Sequence, residues 1–403
     1  MEQFKSLSNG LKLLAFMVLT VASFCFAMFQ GGFVSWFLFA AFLPIALYSI
    51  SLYFYPIENI AVERNLQKSE YRAGDTVPVH LKIVLPVRFP LFYVFIHDTV
   101  MRKRKNQIER TWRTLQFPLL KKTLEYEYEI PKISRGEFQF TEIRVTVADL
   151  FGFIRKEVEL QEAKPFIVYP VTVPLQYLPQ ENEFDQGLAR TKDMVQRDTT
   201  MAISVREYQQ GDRFSWINWK ASARKNQLMT KEFEQRKNQD VFLVLDRTPC
   251  KQFELLVTFC ASVVTAVLKE GIEIGFYSFG KEREYIRLQQ GQSHLQKIFL
   301  ALARVEDDAE IELAQIIRSE ELLKRHLQHI VFIVHSLNQE LVSELMHLAR
   351  DRSQISVFVV KPRQELISRE EISLLASLKQ KGIQGRIIRE GEFAHAFARG
   401  EVG

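Results

Sequence analysis

Cysteine is scarce: three among 403 residues, Cys25, Cys250 and Cys260, without the close spacing of a disulfide framework or a zinc site. An odd, scattered set fits a reducing compartment. Cys25 lies in an apolar run and reads as a small buried hydrophobe. Charge of one sign is also lacking. The net value is +5, from 53 basic and 48 acidic residues, too little for a committed nucleic-acid binder but compatible with a place near anionic lipid. No phosphate-binding Gly-x-x-x-x-Gly-Lys loop, His-Glu-x-x-His or Gly-x-Ser-x-Gly run occurs. No catalytic constellation and no cofactor are therefore expected.

What is present is unevenly distributed. Hydrophobic residues make up 47% of the chain, and nearly all the long apolar runs fall in the first 55 positions. Residues 11–29 are apolar apart from Lys12 at the start, and residues 33–55 carry no charge. At about 1.5 Å per residue each run can cross a hydrocarbon core of about 30 Å. Only Gln30, Gly31 and Gly32 separate them, which predicts a tight transmembrane hairpin; a cleaved signal peptide would not be followed by a second full span. Lys5 and Lys12 precede the first span, Arg64, Lys68 and Arg72 follow the second, and the turn is uncharged. The positive-inside rule then places both termini in the cytoplasm of a two-span cell-membrane protein.

From residue 60 the apolar period changes to two. Runs at 79–85, 92–100, 108–117, 123–130, 138–147 and 151–160 alternate, separated by turn residues Gly74-Asp75, Arg135-Gly136, and Asp149 with Gly152. Short strands at this spacing predict an immunoglobulin-like β-sandwich over 56–178. Its most basic stretch, Arg102-Lys103-Arg104-Lys105, reads as a solvated hairpin tip, with contact to acidic lipid headgroups as the functional alternative. A polar linker over 179–205 follows.

The most distinctive run spans 206–224. Gly211-Asp212 ends a strand, Asp212 is placed to cap a short helix, and that helix gathers Trp216, Ile217 and Trp219 before Lys220 and Arg224. Residues 228–234 read as a further strand. The tryptophans predict a packed element with Trp219 buried against the following domain and Lys220 and Arg224 on its rim. Carboxylates Glu207, Asp212, Glu232 and Glu234 have no nucleophile beside them, so structural ion pairing is expected of them.

This run resembles the core motif of the domain family of unknown function numbered fifty-eight, whose pattern is Arg-x-Tyr-x-x-Gly-Asp, Ile-Asp-Trp-Lys-x-Ser-Ala-Arg and Lys-Glu-Phe-Glu. The matches are Arg206, Tyr208, Gly211, Asp212, Ile217, Trp219, Lys220, Ser222, Ala223, Arg224, Lys231, Glu232, Phe233 and Glu234. Departures fall at Ser215 and Trp216, where arginine is common, and at Asn218, where aspartate is usual. Arg135-Gly136, Asp149-Leu-Phe-Gly152 and Val168-Tyr-Pro170 extend the similarity upstream. The resemblance implies a von Willebrand factor A-like domain after the motif. It also implies association with a MoxR-type AAA+ ATPase and a transglutaminase-like membrane protein, and it brings no established enzymatic activity.

From 240 to 403 strands and helices alternate: strands at 241–245, 272–279, 330–334 and 355–360, helices at 253–268, 293–303 and 341–349. That order predicts a parallel, doubly wound sheet, with a ligand site beyond the carboxyl ends of its strands. The loop after the first strand carries Asp246, Thr248 and Cys250. In a metal-binding A domain these places read Asp-x-Ser-x-Ser; a thiol in the third suits magnesium poorly, so no metal is expected. The loop at His335-Ser336 adds no carboxylate. A C-terminal segment from Gly391 reads as a docked helix. The expected whole is a membrane-anchored multidomain protein: residues 1–10 a cytoplasmic N-terminus, 11–55 the hairpin, then β-sandwich, linker, a core motif over 206–239 and the α/β domain. Its expected function is a membrane-tethered cytoplasmic scaffold, the alternatives being a magnesium-dependent binding domain and an enzyme of the cell envelope.

Overall fold

The computed structural model describes residues 2–178, 202–209, 214–233, 240–324, 329–350 and 354–397. Most of the expected linker, together with Gly211 and Asp212, lies outside the described residues. The chain divides into two compact units, one centred on Met1–Val171, the other on Thr172–Ala301 and Val305–Gly403. The β domain therefore ends about seven residues before the boundary expected at 178.

The first unit opens with two helices long and apolar enough to cross a membrane, α1 (Glu2–Gln30) and α2 (Phe33–Tyr53). Gly31 and Gly32 turn the chain between them with φ of 59° and 99°, values that favour glycine. Phe16 meets Phe42 and Phe24 meets Phe39 along their contact, at centroid distances of 6.1 and 5.1 Å. Leu14, Val18, Val21, Phe37 and Leu47 face outward.

Eight strands follow: β1 (Ala61–Leu66), β2 (Glu70–Arg72), β3 (Val77–Val84), β4 (Tyr93–Arg102), β5 (Gln107–Gln116), β6 (Thr123–Ile130), β7 (Gly136–Ala148) and β8 (Arg155–Tyr169). They form a three-stranded sheet β1-β3-β6 and a five-stranded sheet β2-β8-β7-β4-β5. Alternation sets the inward rows, as in Val77, Val79, Leu81 and Ile83 of β3 and Val94, Ile96 and Val100 of β4. The two rows belong to one continuous core.

One inward place on β4 holds a carboxylate. Asp98 is 1% exposed and pairs with Arg64 of β1 at 2.5 Å, while the Tyr128 hydroxyl of β6 donates to it at 2.6 Å. Arg64 also lies over the Phe140 ring, 4.3 Å from its centroid. Burial pushes the Asp98 carboxyl up, and the Arg64 charge opposes that shift. The charged group thus ties one sheet to the other.

The second unit begins with residues 172–178. The backbone N–H of Val173 donates to Ser262 Oγ at 2.8 Å, and the Tyr177 hydroxyl meets His329 Nδ1 at 3.2 Å. Then come β9 (Ala202–Glu207), which starts inside the expected linker, α3 (Trp219–Lys225) and β10 (Met229–Phe233). The α/β part holds β11 (Val241–Leu245), α4 (Phe253–Lys269), β12 (Ile274–Phe279), β13 (Arg283–Gln289), α5 (Gln292–Arg304), α6 (Leu313–Ser319), α7 (Glu321–Lys324), β14 (His329–Val334), α8 (Gln339–Ala349), β15 (Gln354–Lys361), α9 (Arg369–Gln380) and β16 (Gln384–Arg389).

The sheet order is β13-β12-β11-β14-β15-β16. All neighbours are parallel except β13, which pairs antiparallel with β12. The all-parallel expectation is corrected at that edge: only Gly280, Lys281 and Glu282 join β12 to β13, a hairpin length rather than a crossover. α6, α8 and α9 cover one face over Val244, Phe332 and Val357. On the opposite face Phe259 of α4 meets Phe358 and Phe393 at 5.3 and 5.0 Å. Among the described residues the docked C-terminal element is a 3-10 turn, Phe393–His395, with Phe393 and Phe397 buried.

Candidate functional site

In this sheet β11 connects to β12 on one side, and the chain returns to β14 on the other. The strand order reverses between β11 and β14, so a crevice is expected beyond their carboxyl ends. Two loops meet there. After β11 come Asp246, Arg247 and Thr248; after β14 come His335 and Ser336.

Asp246, 5% exposed, is fully engaged. Its Oδ1 accepts the Thr248 backbone N–H at 2.9 Å and the Thr248 hydroxyl at 2.7 Å, and Oδ2 faces His335 Nδ1 at 3.1 Å. Ser336 Oγ lies 3.0 Å from His335 Nε2. With the proton on Nδ1 directed at the carboxylate, Nε2 accepts from the serine hydroxyl. The order Ser336, His335, Asp246 is that of a nucleophile, its base and the group that orients the base. Cys250 stands at the rim of the same loop. Burial, reinforced by the Asp246 charge, pushes its thiol up to about 11, so it carries its proton at neutral pH and offers no thiolate. Among the described residues no three His, Cys, Asp or Glu side chains cluster as a metal-ligand set.

Arg247 ties the first of these loops to the turn between β12 and β13 and to residues 306–308. Its side chain is buried, and it donates from Nε to the Glu306 carbonyl at 2.8 Å and from Nη1 to the Glu282 carbonyl at 2.9 Å. Nη2 pairs with Asp308 at 2.5 Å. Gly280 leaves the room for this: a Cβ there would lie 2.5 Å from Arg247 Cζ. An ammonium cannot span three acceptors that a planar fork reaches together. Arg247→Lys should therefore cost about 2 kcal/mol, roughly one charge-assisted hydrogen bond, read as a lowered midpoint for the α/β unit in urea. At the end of β15, burial alone would lower Lys361, but its bonds to Glu365 at 2.7 Å and Glu371 at 3.0 Å outweigh that and raise it.

The core motif forms a second constellation. β9 and β10 pair antiparallel, with Arg206 opposite Thr230 and Glu207 opposite Met229. Among the described residues of this small element, Ile217, Met229 and Thr230 are buried. Asn218 caps α3, its Oδ1 accepting the Ala221 N–H at 3.2 Å, while the cap expected from Asp212 lies outside the described residues. Asparagine caps as well as the aspartate usual there, so that departure keeps the helix start. Ser222 Oγ accepts the Met229 N–H at 2.8 Å and ties α3 to β10. Asn226, at φ 55°, ends α3 in the left-handed conformation.

The expectation for Trp219 is overturned: it is 67% exposed, and Phe214 is 74% exposed. The reason is local. Ile217 and Met229 are buried beside α3, and a seven-residue helix lying on one strand has only one face to bury. Trp219, first in that helix, falls on the other face. Lys220, Ala223, Arg224 and Lys225 are exposed beside it, as expected for Lys220 and Arg224. Tyr208 is half-buried, its ring 6.1 Å from that of Phe214, and Arg206 is also half-buried. Glu232 and Phe233 continue the β10 backbone.

Residues 204–376 match the family described as protein of unknown function DUF58. The chain is 34% identical to "Uncharacterized protein YeaD" of Bacillus subtilis (strain 168) over 393 residues, 97% of this chain and 98% of that one. Among solved structures, the C-terminal domain of wzt matches over 27% of this chain and 70% of its own, at 6% identity and a TM-score of 0.22. A CARDB domain from Pyrococcus furiosus matches over 28% and 88%, at 13% identity and a TM-score of 0.19.

Proposed function

We propose, starting from the fact that this chain belongs to the DUF58 family, that it is a membrane-tethered protein-interaction module that presents its core motif to a cytoplasmic partner. In this reading α1 and α2 hold the chain in the cell membrane with both termini in the cytoplasm. The two-sheet domain is an immunoglobulin-like sandwich, and the α/β unit is a von Willebrand factor A-like domain whose metal position has been given over to the Asp246–His335 pair. The partner is a MoxR-type AAA+ ATPase, with a transglutaminase-like membrane protein in the same assembly.

The observation that carries the reading is the exposure of Trp219 and Phe214 among Lys220, Arg224 and Lys225. Two large aromatics exposed on one small element offer apolar contact area there, and tryptophan framed by basic side chains has the composition of a binding hot spot for an acidic protein face. The test is the affinity of the tethered full chain for the ATPase with and without Trp219→Ala.

A second reading rests on the Ser336–His335–Asp246 order, which is that of an acyl-transfer enzyme of the cell envelope. A fluorophosphonate probe separates the two. Under the interaction reading the full chain in detergent stays unlabelled at Ser336; labelling there, abolished by His335→Ala, would establish a nucleophile and displace that reading.

A further inference from the structure

We infer that loops 85–92, 117–122 and 149–154 of the β unit form a second membrane-contacting surface, immersed in the apolar edge of an anionic bilayer. The inference rests on the tether reading of α1 and α2 and goes beyond it, because it places part of the folded β unit in lipid.

The three loops gather around the same level of the two helices. Ser49 Oγ of α2 donates to Asp149 at 3.3 Å, Tyr48 meets Phe92 and Phe89 at 4.9 and 5.5 Å, and Phe16 of α1 stacks on Phe153 at 4.7 Å. Lys156 Nζ donates to the Tyr53 and Tyr55 carbonyls at 2.9 and 2.6 Å. Leu91 and Leu119 join two of the loops through a β-bridge.

Length then decides the depth. From Phe16 to Gln30 is 14 residue steps and from Ser49 back to Phe33 is 16. At 1.5 Å per step these give about 21 and 24 Å of helix beyond the loops. A hydrocarbon core is about 30 Å thick. If the hairpin crosses it, several ångströms of apolar thickness lie at the level of the loops themselves.

The loops are built for that place. Val87, Leu119, Leu120, Leu150 and Phe151 are all at least 50% exposed, and Phe54 at the end of α2 is 75% exposed. Scattered singly these would mean little; collected at one end of a β unit, beside two apolar helices, they continue the same apolar belt. A cavity of about 160 Å³ opens at this rim, lined by Pro44, Ile45, Tyr48, Phe92, Leu150 and Phe151 among others. Exposed Arg88, Lys121 and Lys122 stand beside the apolar residues, where anionic headgroups would meet them. The basic stretch 102–105 is not at this end. Tyr93 begins β4 beside Asp149, and Arg102 ends it nine residues on, about 30 Å away at 3.3 Å per residue.

The experiment uses the full chain with its three cysteines replaced by alanine. It is spin-labelled singly at Leu120→Cys, Phe151→Cys, Phe37→Cys and Lys103→Cys, and reconstituted in phosphatidylglycerol–phosphatidylcholine vesicles. Collision rates with oxygen and with a water-soluble nickel chelate report depth. Positions 120 and 151 should favour oxygen, as position 37 does, while 103 should favour the chelate. If 120 and 151 behave like 103 while 37 stays in lipid, the loops are in water and the inference is overturned with the tether intact. If 37 also favours the chelate, the tether reading fails and takes the inference with it. Lys121→Gln with Lys122→Gln should make position 120 shallower in these vesicles and leave it unchanged in phosphatidylcholine alone. An unchanged depth in both lipids would remove the role given to anionic headgroups.

Discussion

Asp98→Ala should lower the stability of the β unit by about 3–5 kcal/mol, the usual cost of removing one partner from a buried ion pair. The loss is more than one contact. Arg64, whose side chain is 1% exposed, would keep its charge in the core without a counterion, and the Tyr128 hydroxyl would lose its acceptor. Arg64 and Tyr128 come from one sheet and Asp98 from the other, so the damage falls on the seam between them. A paired control separates charge burial from packing. Replacing both ions, Arg64→Met with Asp98→Leu, should cost far less than Asp98→Ala, because an apolar pair leaves no desolvated charge behind. Hydrogen exchange of β3 and β4 amides in the detergent-solubilised chain under increasing urea reads both. Equal destabilisation of the single and double variants would mean that side-chain volume, not the ion pair, holds the seam.

Much of this fold was legible because alternation and all-apolar runs are direct consequences of which faces are buried. The expected strand at 123–130 coincides with β6 and that at 241–245 with β11. β1 and β2 carry no apolar alternation that marks a strand: Ala61–Leu66 and Glu70–Arg72 each bury a single residue and take their place from the strands they pair with. β13 alternates half-buried with exposed residues and has no all-apolar run. α9 and β16 carry too few buried positions to stand out. Asp98 is a single carboxylate inside an apolar strand, and nothing local to it reveals that Arg64, thirty-four residues earlier, faces it across the core.

The sites divide in the same way. Asp246, Thr248 and the His335-Ser336 loop were each visible as loop residues at strand ends, but their meeting depends on β11 and β14 being neighbours. Arg247 occupies an unassigned position of the Asp-x-Ser-x-Ser pattern, so the motif gives it no role. Its signal is its place two residues past a wholly buried strand, where the chain is still leaving the core. Composition alone gives Trp219 to the core. Its exposure follows from the small size of the element that carries it, in which Ile217, Met229 and Thr230 are buried among the described residues.

The proposed interaction is tested most directly by the dissociation constant of the full chain, held in lipid nanodiscs, for a MoxR-type AAA+ ATPase, the proposed partner. Trp219→Ala should weaken it about thirtyfold or more, the loss of at least 2 kcal/mol that marks a hot-spot residue. Because Trp219 is exposed, the variant should melt with the wild type, so lost binding is not lost folding. Lys220→Ala with Arg224→Ala should weaken binding less, chiefly through a slower association that salt erases in the wild type as well. An ATPase that does not bind the wild-type chain, or that binds Trp219→Ala as tightly as wild type, would contradict the account.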